Sequence, residues 1–292
     1  MTSTDFSKVG LFLIGHGSKD QEALTQFWNL VSLLKSELIN SEKTDLNKLK
    51  VGAGLIEFAT PNLDTGLDDL IHETVDTVVA IPLVLLGAGH LKDDGPIALA
   101  KARLRYPNTV FKYANAVGIH HKILEAFATK IKTALGNTAS NTGILLVSRG
   151  STDPDANSDL YKVSRLLIER SDIPDLIQPA FVSLAEPNVT TGLERLSSLG
   201  AKQIVVVPYF LFTGILLKRI YEQCDEWSKS TKTEVFCTNE LGSHRSILEI
   251  IQERFHEAYF DHAHMNCDMC IHRWPIPGFE SKLGSINQVN LK

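Results

Sequence analysis

Short apolar runs alternate with amphipathic stretches along most of the chain. The runs "GLFLIG" (10–15), "VGAGLIE" (51–57), "TVVAIPLVLL" (77–86) and "NTVFKY" (108–113) are followed by a second set, "GILLVS" (143–148), "IQPAFVSL" (177–184), "QIVVVPYFLF" (203–212) and "TEVFC" (233–237). Their apolar character is nearly continuous rather than alternating, which predicts strands buried on both faces. Apolar positions at helical spacing fill the intervals. Strands and helices in alternation predict an α/β fold built on parallel sheets with helices on both sides.

The two sets match each other. "GLFLIGHGSKD" aligns with "GILLVSRGSTD", "LIEFATPNLDTGLDDL" with "FVSLAEPNVTTGLERL", and "VVAIPLVLLGAGHLK" with "IVVVPYFLFTGILLK". Gly17 and Gly150 are 133 residues apart, and both Pro61/Pro187 and Pro82/Pro208 are 126 apart. One domain written twice explains the 292-residue length. The polar stretch "LGNTASNTG" (135–143) reads as the linker, giving a first domain over 1–138, a second over 139–260 and a tail over 261–292. In open parallel sheets ligands bind beyond the carboxyl ends of the strands, so a cleft between facing domains is the expected site.

The duplication serves as an internal control. Positions needed only for the fold should persist in both copies, whereas His16 becomes Arg149, Glu57 becomes Ser183 and His90 becomes Leu216. Only the first half therefore places two imidazoles and a carboxylate near strand ends. Imidazole is a common ligand for divalent transition metals and a proton acceptor near neutral pH. Glu57 has three open roles: third ligand, proton acceptor, or the group that orients an imidazole. His120 and His244, by contrast, occur in both halves just before apolar helical patterns and are assigned to helix starts, and His72 and His121 are read as surface residues.

Composition narrows the function by exclusion. Hydrophobic residues are 43% and charged residues 22%, as in ordinary globular chains. A formal charge of -5 gives no field favouring nucleic acid. No apolar run approaches the ~20 residues of a membrane span, and the start "MTSTDFSKVG" lacks a secretory pattern, so a cytoplasmic protein without a membrane partner is expected. Four cysteines do not make a disulfide framework at this length. A phosphatase using a histidine nucleophile would need arginines beside it, and "GHGSKD" has none.

The motifs "GHGS" (15–18), "LIEFATPN" (55–62), "PLVLLGAGHLKDDGP" (82–96) and "PYFLFTGILLKRI" (208–220) together resemble the class II chelatases of tetrapyrrole biosynthesis, which insert cobalt or iron into sirohydrochlorin. The resemblance implies two flavodoxin-like domains facing across a cleft, with metal-binding histidines at His16 and His90. It implies a sirohydrochlorin cobaltochelatase of cobalamin biosynthesis that takes Co2+ as substrate, with a ferrochelatase of siroheme synthesis using Fe2+ as the alternative. A carrier of metal or tetrapyrrole that performs no turnover is the reading from another class. His16, Glu57 and His90 are the expected catalytic set, with Glu57 assisting proton removal. A polycarboxylate substrate calls for cations and polar groups near strand ends, and the candidates are Ser18, Lys92, Arg149, Lys218 and Arg219.

The tail "FHEAYFDHAHMNCDMCIHRWPIPGFE" departs from the repeat. Its M-x-C-x-x-C core resembles the C-terminal motif of long-form members, which implies an iron-sulfur cluster. Cys267 and Cys270 supply two of four thiolates, leaving the remainder to a second chain in a homodimer or to His262, His264, Cys224 or Cys237. Zinc held by cysteine and histidine, a reduced pair without metal, and a histidine-rich tail that delivers the substrate ion are the alternatives.

Overall fold

A computed structural model describes residues 5–40, 45–136, 141–169 and 173–262. All eight expected strands form; four of them, over 50–55, 77–82, 177–181 and 203–208, stop before the apolar runs that predict them. The first sheet comprises β1 (Val9–Gly15), β2 (Lys50–Leu55), β3 (Thr77–Pro82) and β4 (Val110–Tyr113). The second comprises β5 (Thr142–Ser148), β6 (Ile177–Phe181), β7 (Gln203–Pro208) and β8 (Glu234–Cys237). Both are wholly parallel, ordered β2-β1-β3-β4 and β6-β5-β7-β8. Because the chain steps from β1 outward to β2 and then back across to β3, the order reverses at β1/β3, where a doubly wound sheet opens a crevice at its carboxyl edge. The second sheet does the same at β5/β7.

Helices α1 (Gln21–Ile39), α2 (Leu63–His72), α3 (Gly95–Arg105) and α4 (His121–Leu135) follow the first four strands, and α5 (Pro154–Ile168), α6 (Val189–Ser198), α7 (Ile215–Ser228) and α8 (Arg245–Tyr259) follow the next four. Their starts are written in the sequence. Asp20 and Asp153 cap α1 and α5, and Asn62 and Asn188 cap α2 and α6, each accepting from a backbone N–H of the first turn. The helix-start assignment of the paired histidines holds: His120 Nδ1 accepts from Lys122 N and His244 Nδ1 from Ser246 N, both at 3.2 Å. His72 and His121 are exposed.

The chain forms two compact units, and these are not the linear halves expected from the repeat. Among the described residues, one contains those from 5 to 118 and from 247 to 262, the other those from 119 to 246. In the first, Phe255 of α8 packs edge-on against Phe6 with ring centroids 5.6 Å apart, and Arg254 donates to the Ala116 carbonyl at 2.8 Å. In the second, Phe127 of α4 stacks on Tyr209 at 4.6 Å, with Ile123 and Ile131 fully buried beside it. The boundary at 138/139 thus follows the repeat but not the packing. Periodicity shows that a helix buries a face; which sheet receives that face depends on partners distant in sequence.

Candidate metal centre

His16, Glu57 and His90 converge in the first unit. One ligand atom from each lies within 4.8 Å of the other two. His16 is the first residue past β1, Glu57 the second past β2, and His90 begins the segment that follows the β3 loop, so all three stand at the carboxyl edge near the point where strand order reverses.

The β1 and β2 loops are locked together by backbone bonds. Ile56 N donates to Gly15 O at 2.9 Å and Glu57 N to His16 O at 3.0 Å. Gly17 makes the approach feasible: its φ is +92°, and a Cβ there would sit 1.8 Å from the Glu57 carbonyl oxygen. Only glycine permits that spacing. Phe58, next to Glu57, takes a left-handed φ of 65° and leaves its ring 55% exposed, 6.5 Å from the His16 ring and with Lys19 Nζ 5.1 Å from its centroid.

Hydrogen bonds orient both imidazoles. His16 Nδ1 lies 3.1 Å from the Gly17 carbonyl, which can only accept, so Nδ1 carries the proton and Nε2 presents a lone pair. That Nε2 is 3.4 Å from Glu57 Oε1. With metal–ligand bonds of about 2.1 Å, this separation subtends roughly 108° at an ion, close to tetrahedral. His90 Nδ1 lies 2.6 Å from Asp94 Oδ2, a charge-assisted bond that likewise frees Nε2. The two rings meet edge to face, centroids 4.5 Å apart and planes at 80°. Three protein donors leave coordination positions open, as a site that must exchange its ligands requires.

His90 and Asp94 are held by an unusual turn. Residues His90–Asp94 form a π-helical turn that runs into α3. Pro96 provides no N–H to close the next helical bond, and the Tyr113 hydroxyl instead donates to the Leu91 carbonyl at 2.6 Å. Burial, with the Asp94 charge adding to it, pushes the Tyr113 phenol well above its ordinary pKa, so it remains a donor. Gly95 makes room for that phenol: a Cβ there would lie 2.3 Å from the hydroxyl oxygen. Asp94, Gly95 and Tyr113 were not singled out by sequence reasoning, although the four-residue spacing from His90 to Asp94 was available as a signal for a side-chain pair.

The remaining candidates divide between the units. Lys92 sits in the π turn, partly buried. Ser18 Oγ accepts from Asp20 N at 3.0 Å, and Ser151 does the same for Asp153 in the second half. Arg149, exposed at the end of β5, and Lys218 and Arg219, exposed on the first turn of α7, belong to the second unit. His262 ends the last described segment, its N–H donating to the Glu257 carbonyl at 2.7 Å. Cys267, Cys270 and His264 lie outside the described residues.

A family model described as CbiX matches residues 10–134 and again 143–258. The sirohydrochlorin cobaltochelatase of Priestia megaterium is 35% identical over 273 residues, covering 92% of this chain and 85% of that relative. The sirohydrochlorin ferrochelatase of Bacillus subtilis is 25% identical over 250 residues, covering 86% and 92% respectively. Among solved structures, SirB from Bacillus subtilis with Fe3+ superposes with a TM-score of 0.71 at 25% identity, covering 86% of this chain and 95% of that one. Matched once in each half and along nearly its whole folded length, the chain belongs to the CbiX family.

Proposed function

We propose that the protein is a sirohydrochlorin chelatase that inserts Co2+, with His16, Glu57 and His90 holding the incoming ion. The observation that carries this reading is the convergence of their ligand atoms within 4.8 Å at the carboxyl edge of a CbiX-family sheet. Iron is the second reading, favoured by the similarity to a ferrochelatase.

Insertion of a divalent ion into the macrocycle releases two pyrrole protons and exchanges the ion's oxygen and nitrogen ligands for four ring nitrogens. His16 Nε2 and His90 Nε2 hold the ion through lone pairs fixed by the Gly17 carbonyl and Asp94. The Glu57 carboxylate, 3.4 Å from His16, is placed to ligate the ion or to receive a proton as the ring nitrogens displace it. The exposed Phe58 ring beside His16 offers an apolar surface to a flat macrocycle. Lys92, Arg149, Lys218 and Arg219 are the proposed carboxylate partners.

No described helix is long and apolar enough to cross a membrane, which accords with the cytoplasmic location we assign. A cluster or zinc site at Cys267 and Cys270 rests on the tail sequence, and iron and sulfide analysis of anaerobically purified protein tests it. The function itself is tested by multiple-turnover absorbance with metal-free sirohydrochlorin and Co2+, Fe2+ or Ni2+ under anaerobic conditions. Catalytic acceleration with cobalt ranked first is expected. Iron ranked first selects the siroheme reading, and stoichiometric binding without release selects a carrier.

A further inference from the structure

The second unit contains a pair of thiols that the proposed reaction does not use. Cys224 lies on α7 with 2% exposure, and Cys237 ends β8 at the exposed edge of the sheet. Their side chains are neighbours. One turn of α7 is pinned against this strand end, since the Tyr221 hydroxyl donates to the Thr238 carbonyl at 3.1 Å and Thr238 N to the Val206 carbonyl at 2.9 Å.

The duplication says that the fold does not need these sulfurs. The 126-residue offset pairs Cys224 with Ala98, and sheet register, which sets Ala80 opposite Tyr113 and Val206 opposite Cys237, pairs Cys237 with Tyr113. The first half fills the same places without a thiol. Among the described residues, no group of three potential metal ligands includes either cysteine. A dithiol with one member exposed and its neighbour buried has instead the arrangement of an attacking and a resolving cysteine.

We propose that Cys224 and Cys237 form a redox modification site, at which a hydroperoxide converts the two thiols to an intramolecular disulfide. Cys237 attacks the peroxide, the O–O bond breaks, and a sulfenic acid and one water form. The Cys224 sulfur then attacks that sulfenic sulfur; the S–S bond forms, the S–O bond breaks, and hydroxide leaves as water with the Cys224 proton. Two thiols and one hydrogen peroxide thus give one disulfide and two waters. Cys237 is exposed and its neighbour Cys224 is buried at 2% exposure, which assigns the nucleophile to Cys237, and the neighbouring thiol lowers the proton affinity of that position. The product ties α7, which carries Lys218 and Arg219 on its first turn, to the edge strand of its sheet.

The test is a non-reducing peptide map of the full chain after treatment with one equivalent of hydrogen peroxide. A linked peptide joining Cys224 to Cys237, about 2 Da lighter than the two free peptides and released by dithiothreitol, is expected as the first product. Cys224→Ala copies the residue at the matching position of the first half; it should leave Cys237 as a sulfenic acid that dimedone traps. The proposal fails if wild-type Cys237 is trapped by dimedone as readily as in that variant. It also fails if the tail cysteines oxidise while Cys224 and Cys237 remain free thiols.

Discussion

The two halves share a backbone and differ in what they hold. In each, a glycine with positive φ follows the first strand, and its absent Cβ lets the second loop close to within 1.8 Å of the built position at Gly17 and 2.0 Å at Gly150. The loop bonds of the first half are repeated by Val182 N to Ser148 O and Ser183 N to Arg149 O, both 2.9 Å. Even the left-handed residues correspond, Phe58 with Leu184. On this common frame one half carries His16, Glu57 and His90, and the other Arg149, Ser183 and Leu216. Beside the candidate ligands the frames part where a π turn at His90–Asp94 corresponds to the regular start of α7. Duplication has preserved the cradle, and side-chain replacement plus one altered helical turn separates a candidate metal centre from its counterpart.

The comparison breaks most sharply at the ligands. His16→Ala and His90→Ala should each lower metal insertion by at least about a hundredfold with little change in melting temperature, because both side chains are partly exposed and neither fills the core. Arg149→Ala, at the position matching His16, should raise the Michaelis constant for the tetrapyrrole and leave metal affinity unchanged in calorimetric titration with Co2+. Equal loss of cobalt affinity in all three variants would defeat the division of roles. The converse experiment transplants the site. Arg149→His, Ser183→Glu and Leu216→His together recreate the ligand types on the matching backbone, yet α7 lacks the π turn and the carboxylate that orients His90. In a chain whose own site is removed by His16→Ala and His90→Ala, the graft should bind Co2+ at least about tenfold more weakly than the native centre. Native affinity would show that ligand identity alone is sufficient.

Much of this frame was legible in the sequence, because buried parallel strands write continuous apolar runs and the repeat confirms each one. Strand ends were less legible. The run through Leu86 continues past Pro82, where β3 stops, because Leu83, still bonded to the Ile14 carbonyl of β1, and Leu85 are buried beyond the strand end. His16, Glu57 and His90 stood out as the positions the second copy did not retain, and the structure brings all three together. Asp94 did not, since an acidic residue in "KDDGP" reads as solvated surface until the π turn carries it to His90. The exchange of α4 and α8 between the units was also invisible, because an amphipathic pattern does not name its partner.

Asp94→Asn sharpens the role of the turn. Asparagine keeps the size but not the charge, so its bond to His90 Nδ1 weakens and holds the ring less firmly. Cobalt affinity should fall by about 10- to 100-fold, the usual consequence of removing a carboxylate behind a histidine ligand. Glutamate at the same position, able to reach the ring from further out, should recover part of that loss. If Asp94→Asn binds cobalt as the wild type does, the 2.6 Å contact is structural and the contrast between the halves reduces to three ligands.

The smallest difference lies in the terminal helices and concerns pH. His256 of α8 matches exposed Lys132 of α4, and it packs among Phe6, Phe255 and Phe260, stacking on the last with planes 3° apart. Burial holds its imidazole below the ordinary value, so the folded chain favours the neutral ring while an unfolded chain binds the proton more readily. The resulting stability is present above the unfolded pKa of about 6.5 and is lost as pH falls through the lowered folded value. His256→Gln should therefore flatten the decline in melting temperature between pH 7 and pH 5, whereas Lys132→Gln should leave its slope unchanged. An undiminished slope in His256→Gln would place the acid sensitivity elsewhere and remove this last asymmetry between the two helices.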